Sequence, residues 1–471
     1  MLKDLFKGSA VYGIAPFVPR IISVLLLPIM TKYLTSTDYG IIGTITSITM
    51  AIQAFQELGL SVLLQNYFYK CRGQYKVFWR EIYGFLSMWM VVYSLLQATL
   101  LYIFIPAEAS DNKWLIIILS NFSTVFFGPT SIIGQLYYQL NLKPGPVAIR
   151  VIVSGVISIL TNFLCVVVFR WGYMGAYVGT FASVFLINCS YWPIVNKKLG
   201  LSPIYKFKGR TIRESLKVSL PTIPNYYSGY LMNSTNVVAM NVYDKPQSVI
   251  GCLTMAQTVT NIFAVAVDSI NRMFTPLSYQ MIRDNNPKEM SRLLYTYILM
   301  AFSLLFLYSL WSREAYYLLI SNQEIAQTYK YSILLAMALC YRPMYVYCVS
   351  YFFYYENTVK ILGICLIAGL LSCAFYFSMI PVIGIYAALY GFYLGCMYMG
   401  YSGYFFKFYR RRSVFHVKWY LFLLLQIVLT AIAYFFVDSN WIIKAVVSIV
   451  YIVASGYFFV VKIKPFYGKK S

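Results

Sequence analysis

Pro16-Phe17-Val18-Pro19-Arg20 and Pro221-Thr222-Ile223-Pro224-Asn225 are two versions of one pattern, 205 residues apart inside two long apolar runs. Two further landmarks keep the same order and nearly the same offset. Gly128-Pro129-Thr130 faces Arg342-Pro343-Met344 at 214 residues, and Trp171-Gly172-Tyr173-Met174-Gly175-Ala176 faces Ile383-Gly384-Ile385-Tyr386-Ala387-Ala388, with Gly172 against Gly384 at 212. Weak self-similarity at a constant long period marks a duplicated bundle. The organisation expected is a first lobe over residues 1–200, a second lobe over 201–412, and a terminal part over 413–471.

The material of the bundle follows from composition. Of 471 residues, 60% are hydrophobic and only 11% charged, with a mean hydropathy of +0.66, which excludes disorder, a secreted disulfide scaffold and an ordinary soluble domain. A helix needs about 20 apolar residues to cross the hydrocarbon core. On that measure fourteen candidate spans are centred near Ser23, Met50, Tyr93, Val125, Ser158, Val184, Leu231, Phe263, Ser303, Ala338, Gly369, Phe392, Leu425 and Val450. The fold class expected is all-α and integral to the membrane: two six-helix lobes in parallel orientation plus two C-terminal helices. The first apolar run, Gly8 to Tyr33, is too long for a signal peptide's core and reads as a retained anchor.

The formal charge of +23 would suggest nucleic acid in a soluble chain. Scoring alternate loops from a cytoplasmic N-terminus places 29 Lys and Arg on the inner side and 7 on the outer, so the charge reads as a topology signal with both termini in the cytoplasm. Arg410-Arg411-Arg412 beside His416 fits the same retention signal, with contact to anionic headgroups as the other reading. One histidine and no CxxC pair leave no material for a zinc site or a catalytic triad. Most cysteines lie in apolar runs and read as buried, inert thiols; Cys71 sits in a polar loop. No phosphate-binding GxxxxGK[ST] loop is present, and the longest outer loop, Trp311 to Tyr329, offers only Glu314 and Glu324 as acids. No catalytic residue, metal or bound cofactor is expected, and the chain does not read as an enzyme.

Four ionisable residues fall within apolar spans: Arg20, Glu57, Asp268 and Arg342. Burying a charge at a helix centre costs about 2.5–3.5 kcal/mol on insertion scales, so each should face protein or a wet cavity. Arg20 and Arg342, one from each lobe, could grip a phosphate through paired hydrogen bonds, with Asn225 taking the place of the arginine in the second copy. Glu57 and Asp268 could carry a proton or sodium ion that couples transport to a gradient. The structural alternatives are ion pairs of Arg20 with Glu57 and of Arg342 with Asp268 or Glu356. Pro16, Pro19, Pro221 and Pro224 should bend or break the first helix of each lobe, which suits a gate. Asn233 and Asn236 could line the cavity as neutral donors, and helix-to-helix hydrogen bonding is the favoured reading. The 46 tyrosines mostly suit an interfacial belt, with a few able to stack on sugar rings.

Lys7-Gly8-Ser9-Ala10-Val11-Tyr12-Gly13, Tyr33-Leu34-Thr35-Ser36-Thr37-Asp38-Tyr39-Gly40, Glu57-Leu58-Gly59-Leu60 and Ile380-Pro381 with Gly384-Ile385-Tyr386-Ala387-Ala388 resemble the Wzx-type polysaccharide-biosynthesis flippases. These share a superfamily with multidrug and toxin extruders and lipid II flippases. The resemblance implies a MATE-like, V-shaped pair of lobes around a cationic cavity. It also implies transport of an undecaprenyl-diphosphate-linked oligosaccharide across the bacterial inner membrane, by alternating access, for O-antigen, capsule or exopolysaccharide assembly. A polysaccharide polymerase and chain-length machinery would be its partners beside the membrane lipids. One departure is Ala374, where the second copy would match Asn162 of the first and many relatives carry asparagine. The alternatives are a lipid II flippase, a multidrug extruder and a membrane polysaccharide polymerase.

Overall fold

The computed structural model describes residues 17–70, 74–141, 143–206, 209–220 and 223–463. Among these residues helix is the only regular structure. Two compact units emerge, Met1–Tyr227 with Pro246–Gly251, and Ser228–Lys245 with Cys252–Ser471.

The first unit holds α1 (Phe17–Tyr33), α2 (Ser36–Glu57), α3 (Leu60–Lys70), α4 (Tyr75–Phe104), α5 (Lys113–Leu140), α6 (Pro144–Asn162), α7 (Tyr173–Pro193) and α8 (Gly209–Ser219). Next come α9 (Ile223–Asn233), α10 (Thr235–Val242) and the long α11 (Gln247–Arg283). The second unit continues with α12 (Pro287–Leu310), α13 (Ser312–Leu319), α14 (Tyr329–Ala338), α15 (Arg342–Tyr354), α16 (Thr358–Ile383), α17 (Ile385–Tyr401), α18 (Trp419–Phe436) and α19 (Trp441–Phe458).

Among the described residues eleven stretches are long and apolar enough to cross a membrane, and each contains one of the expected span centres. The other three expected centres fall on shorter pieces. Ser23 lies on α1 and Phe392 on α17, each of 17 residues, and Leu231 lies on α9, which is followed directly by α10. The break after α9 has a local cause in Asn233-Ser234-Thr235-Asn236, whose short polar side chains compete for backbone groups. Asn233 Nδ2 donates to the Gly229 carbonyl at 2.8 Å, and Asn236 Oδ1 accepts from the Val237 amide at 2.8 Å. Both side chains therefore bond within their own segment, a correction to the expected bonds between helices.

The two glycines matched across the repeat share one unusual conformation. Gly172 (φ 53, ψ −137) starts α7 and Gly384 (φ 59, ψ −133) starts α17. That region is open essentially to glycine alone. The duplicated landmark is thus a duplicated turn.

In the first unit, α3, α4 and α8 close a core around Trp79, whose Nε1 donates to the Leu64 carbonyl at 3.0 Å. In the second, tyrosines fill the interior: Tyr297, Tyr316, Tyr341, Tyr347 and Tyr376 are all buried. The span Tyr329–Tyr354 is 89% buried and Trp441–Val461 only 6%, so the former is the centre of its unit and the latter presents Ile442, Val446, Ile449 and Val453 outward as lipid would require. The terminal pair is nevertheless tied in. Lys444, fully buried, donates to both oxygens of Glu314 at 2.6 and 2.9 Å, and Gln426 Nε2 donates to the Met337 carbonyl at 3.1 Å.

Candidate substrate cavity

The first unit encloses a cavity of about 790 Å³, within the range of about 300–1,000 Å³ typical of small-molecule sites. It is bounded by α2, α3, α4, α5 and α7. Its character is set by amides: Gln53, Gln56, Gln65, Gln97, Gln135 and Gln139 all line it. Asn188, Tyr93, Tyr177 and several serines and threonines complete the polar wall. Each primary amide offers two donors and a carbonyl acceptor.

Helical spacing explains how these groups converge. Gln53 and Gln56 stand three residues apart on α2, and Gln135 and Gln139 four apart on α5, so each pair shares a helix face. Part of the wall is braced: Asn188 Nδ2 donates to Ser123 Oγ at 3.0 Å, Tyr226 donates to Gln53 Oε1 at 2.9 Å, and Ser120 bonds the Tyr177 hydroxyl. Gln97 is buried, and its Oε1 has no hydrogen-bond partner among the described residues. A dry polar atom of that kind is costly unless water or a ligand meets it.

Glu57, the last residue of α2, is the one charged side chain among the described lining residues. The helix ends there because Leu58 (φ 49) and Gly59 (φ 68) turn left-handed, which sets the carboxylate at the break before α3. Gly128 on α5 also lines the cavity; a Cβ there would stand 3.5 Å from Met90 and 3.7 Å from Gln56 Nε2, in ordinary van der Waals contact with both.

The other expected site residues divide three ways. Arg342, the first residue of α15, forms an ion pair with Asp268 of α11, and the two side chains remain 29% and 47% exposed. Of the two acids considered for it, Asp268 is the partner in the structure, while Glu356 is exposed in a turn at φ 59. Arg20 and Pro19 belong to α1 and Asn225 to α9, but the side chains of all three lie outside the described residues, as do Pro16 and Pro221 altogether. Pro224 lies on α9, whose described part begins at Ile223. The glutamines were missed by sequence reasoning, although paired amides at helical spacing in otherwise apolar spans are a signal that could have found them.

The model of the polysaccharide biosynthesis protein family matches residues 5–282. The chain belongs to that family. No curated protein matches it in sequence. In fold it is similar to the lipid II flippase MurJ in an inward closed conformation, at 15% identity and TM-score 0.65 over 92% of this chain and 98% of that one. It is also similar to an inward-facing multidrug resistance MATE family transporter of the MOP superfamily, at 15% identity and TM-score 0.60 over 85% and 98%. The eukaryotic MATE transporter AtDTX14 matches at 12% identity and TM-score 0.53 over 95% and 98%. The all-α, MATE-like fold expected from the motifs is the fold found.

Several residues behind the family resemblance have identifiable structural work. Thr35 and Asp38 form a capping box at the start of α2: the Asp38 amide donates to Thr35 Oγ1 at 3.2 Å, and the Thr35 amide donates to Asp38 Oδ2 at 2.8 Å. The other oxygen, Asp38 Oδ1, accepts from the Tyr173 amide at 2.9 Å and so joins this turn to the glycine turn at 172. Gly40 lets the backbones of α2 and the first turn of α11 meet, since a Cβ on it would stand 1.9 Å from the Gln247 carbonyl oxygen.

Proposed function

We propose that this protein is a flippase for an undecaprenyl-diphosphate-linked oligosaccharide, moving the unit across the bacterial inner membrane for surface polysaccharide assembly, with both termini in the cytoplasm. The observation that carries the reading is the amide-lined cavity within a polysaccharide biosynthesis family chain. Glycans present hydroxyls that both donate and accept, and a wall of glutamines, serines and threonines answers both without a fixed charge. Tyr93 and Tyr177 add rings on which apolar sugar faces can stack.

Arg20 and Asn225 would meet the diphosphate, joined by Arg342 if its bond to Asp268 opens. Of the two acids proposed for ion coupling, Glu57 is better placed. Asp268 already has a cation partner, whereas no ion pair of the described residues involves Glu57. The segments around Pro19 and Pro224 would serve as hinges for alternating access. Handover to a polymerase and chain-length machinery would follow on the outer face.

Deleting the gene and analysing lipid-linked sugars tests the proposal. Complete units accumulating on the inner leaflet support it; truncated units, or unpolymerised units outside, would point instead to an enzyme.

A further inference from the structure

The cavity of the first unit is polar yet almost free of charge. Among the described residues that line it there is no lysine or arginine, and Glu57 is the one ionisable acid. The repeat shows why no cation stands there. The position that carries Arg342 in the second unit is Gly128 in the first, a residue of the cavity wall with no side chain to bring a charge.

A carboxylate or phosphate brought into this space would lose its hydration and find no cation in exchange among the described lining residues, and the Glu57 carboxylate would add like-charge repulsion. Hydroxyl and acetamido groups meet no such penalty, because amides supply both donors and acceptors. An ammonium group would gain a charge-assisted bond to Glu57.

We propose that the part of the glycan seated in this cavity is uncharged or amine-bearing, and that sugars carrying a carboxylate or phosphate are rejected there. The diphosphate of the lipid carrier then stays outside the cavity. The inference rests on the flippase reading above and adds a substrate class to it.

The test uses spheroplasts of a strain that lacks its own flippase and expresses the full chain. The strain makes, in turn, three polyprenyl-diphosphate trisaccharides that differ in one sugar: an N-acetylhexosamine, a free hexosamine or a hexuronic acid. The rate at which each becomes reachable by membrane-impermeant periodate is read against cells without the protein. The neutral and amine-bearing units are expected to emerge at least about tenfold faster than the acidic one, a difference of 1.4 kcal/mol or more. Equal rates for all three overturn the selectivity and leave the flippase reading intact; emergence of none overturns both. In Glu57→Gln the neutral-to-acidic ratio is expected to fall. An unchanged ratio takes Glu57 out of the selection.

Discussion

At corresponding places in the repeat the first unit holds Glu57 and Gly128, and the second holds Asp268 and Arg342. In the second unit acid and arginine close on each other as an ion pair. In the first the arginine is replaced by a glycine, and the acid faces a cavity of about 790 Å³. The helices differ in the same sense. α5 runs unbroken through Pro129, and its span is 44% buried; its counterpart is interrupted by a 3-10 turn at Leu339–Tyr341 before α15, and that span is 89% buried. α18 supplies part of the cover, through Gln426 to the Met337 carbonyl and Thr430 to Tyr393. A cavity of about 380 Å³ in the second unit is walled mainly by Phe263, Leu304, Leu307 and Trp311, with Ser303 and Tyr308 beside them. The two units thus differ in their interiors, one packed tightly around Tyr329–Tyr354 and the other holding a polar cavity.

The strongest way to break this contrast is to give the first unit the second unit's residue. Gly128→Arg would bring a guanidinium to the wall of the cavity that Glu57 also lines and fill space a substrate needs. Surface glycan is expected to fall by at least about tenfold, equivalent to 1.4 kcal/mol on the limiting step, while the purified protein keeps its fold by circular dichroism. Undiminished glycan would mean that the cavity is not on the transport route. The reverse change, Arg342→Gly, leaves Asp268 without its partner and removes packing. A loss of about 2–3 kcal/mol is expected from thermal unfolding in detergent, less than for a fully buried pair because both side chains reach solvent. In a double-mutant cycle with Asp268→Asn the two losses should not add. Strict additivity would show that the pair is not coupled.

How much of this was legible in the sequence depends on the kind of signal. The repeat and the all-helical membrane class were readable because a long apolar run and a proline or glycine at a fixed offset are backbone facts. The shared conformation of Gly172 and Gly384 bears that out. Charges drew attention first, yet the described cavity is built from neutral glutamines, which carry no topological or insertion penalty large enough to stand out in composition. The pairing of Arg342 with Asp268 was one of two options in the sequence, since the separation of 74 residues gives no register. The break at Ser234 was hidden because the residues on either side are apolar enough for a continuous span.

The two glycine turns offer a finer comparison. Alanine at either position must adopt a strained backbone, at a cost of about 1–3 kcal/mol. The surroundings differ: a Cβ on Gly172 would stand 2.9 Å from Asp38 Oδ1, whereas nothing lies within 4 Å of one on Gly384. Gly172→Ala is therefore expected to lower the thermal midpoint more than Gly384→Ala. Equal losses would show that the Asp38 clasp yields freely.

The smallest expected effect concerns a clasp in the second unit. Asp438, in the turn between α18 and α19, is bound by Lys330 Nζ at 2.6 Å and by the Tyr329 hydroxyl. Burial by itself would raise its pKa, but the Lys330 and Tyr329 hydrogen bonds prevail and hold the carboxyl below its ordinary value. A carboxyl lowered in the folded state adds stability above its unfolded value of about 3.9, and that stability is lost as pH falls through the folded value. Lys330 and Asp438 are 37% and 43% exposed, so solvent screening keeps the contribution under about 1 kcal/mol. Between pH 5 and pH 3 the wild-type midpoint should fall slightly more than that of Asp438→Asn, and parallel curves would show that the clasp does not hold the terminal helices.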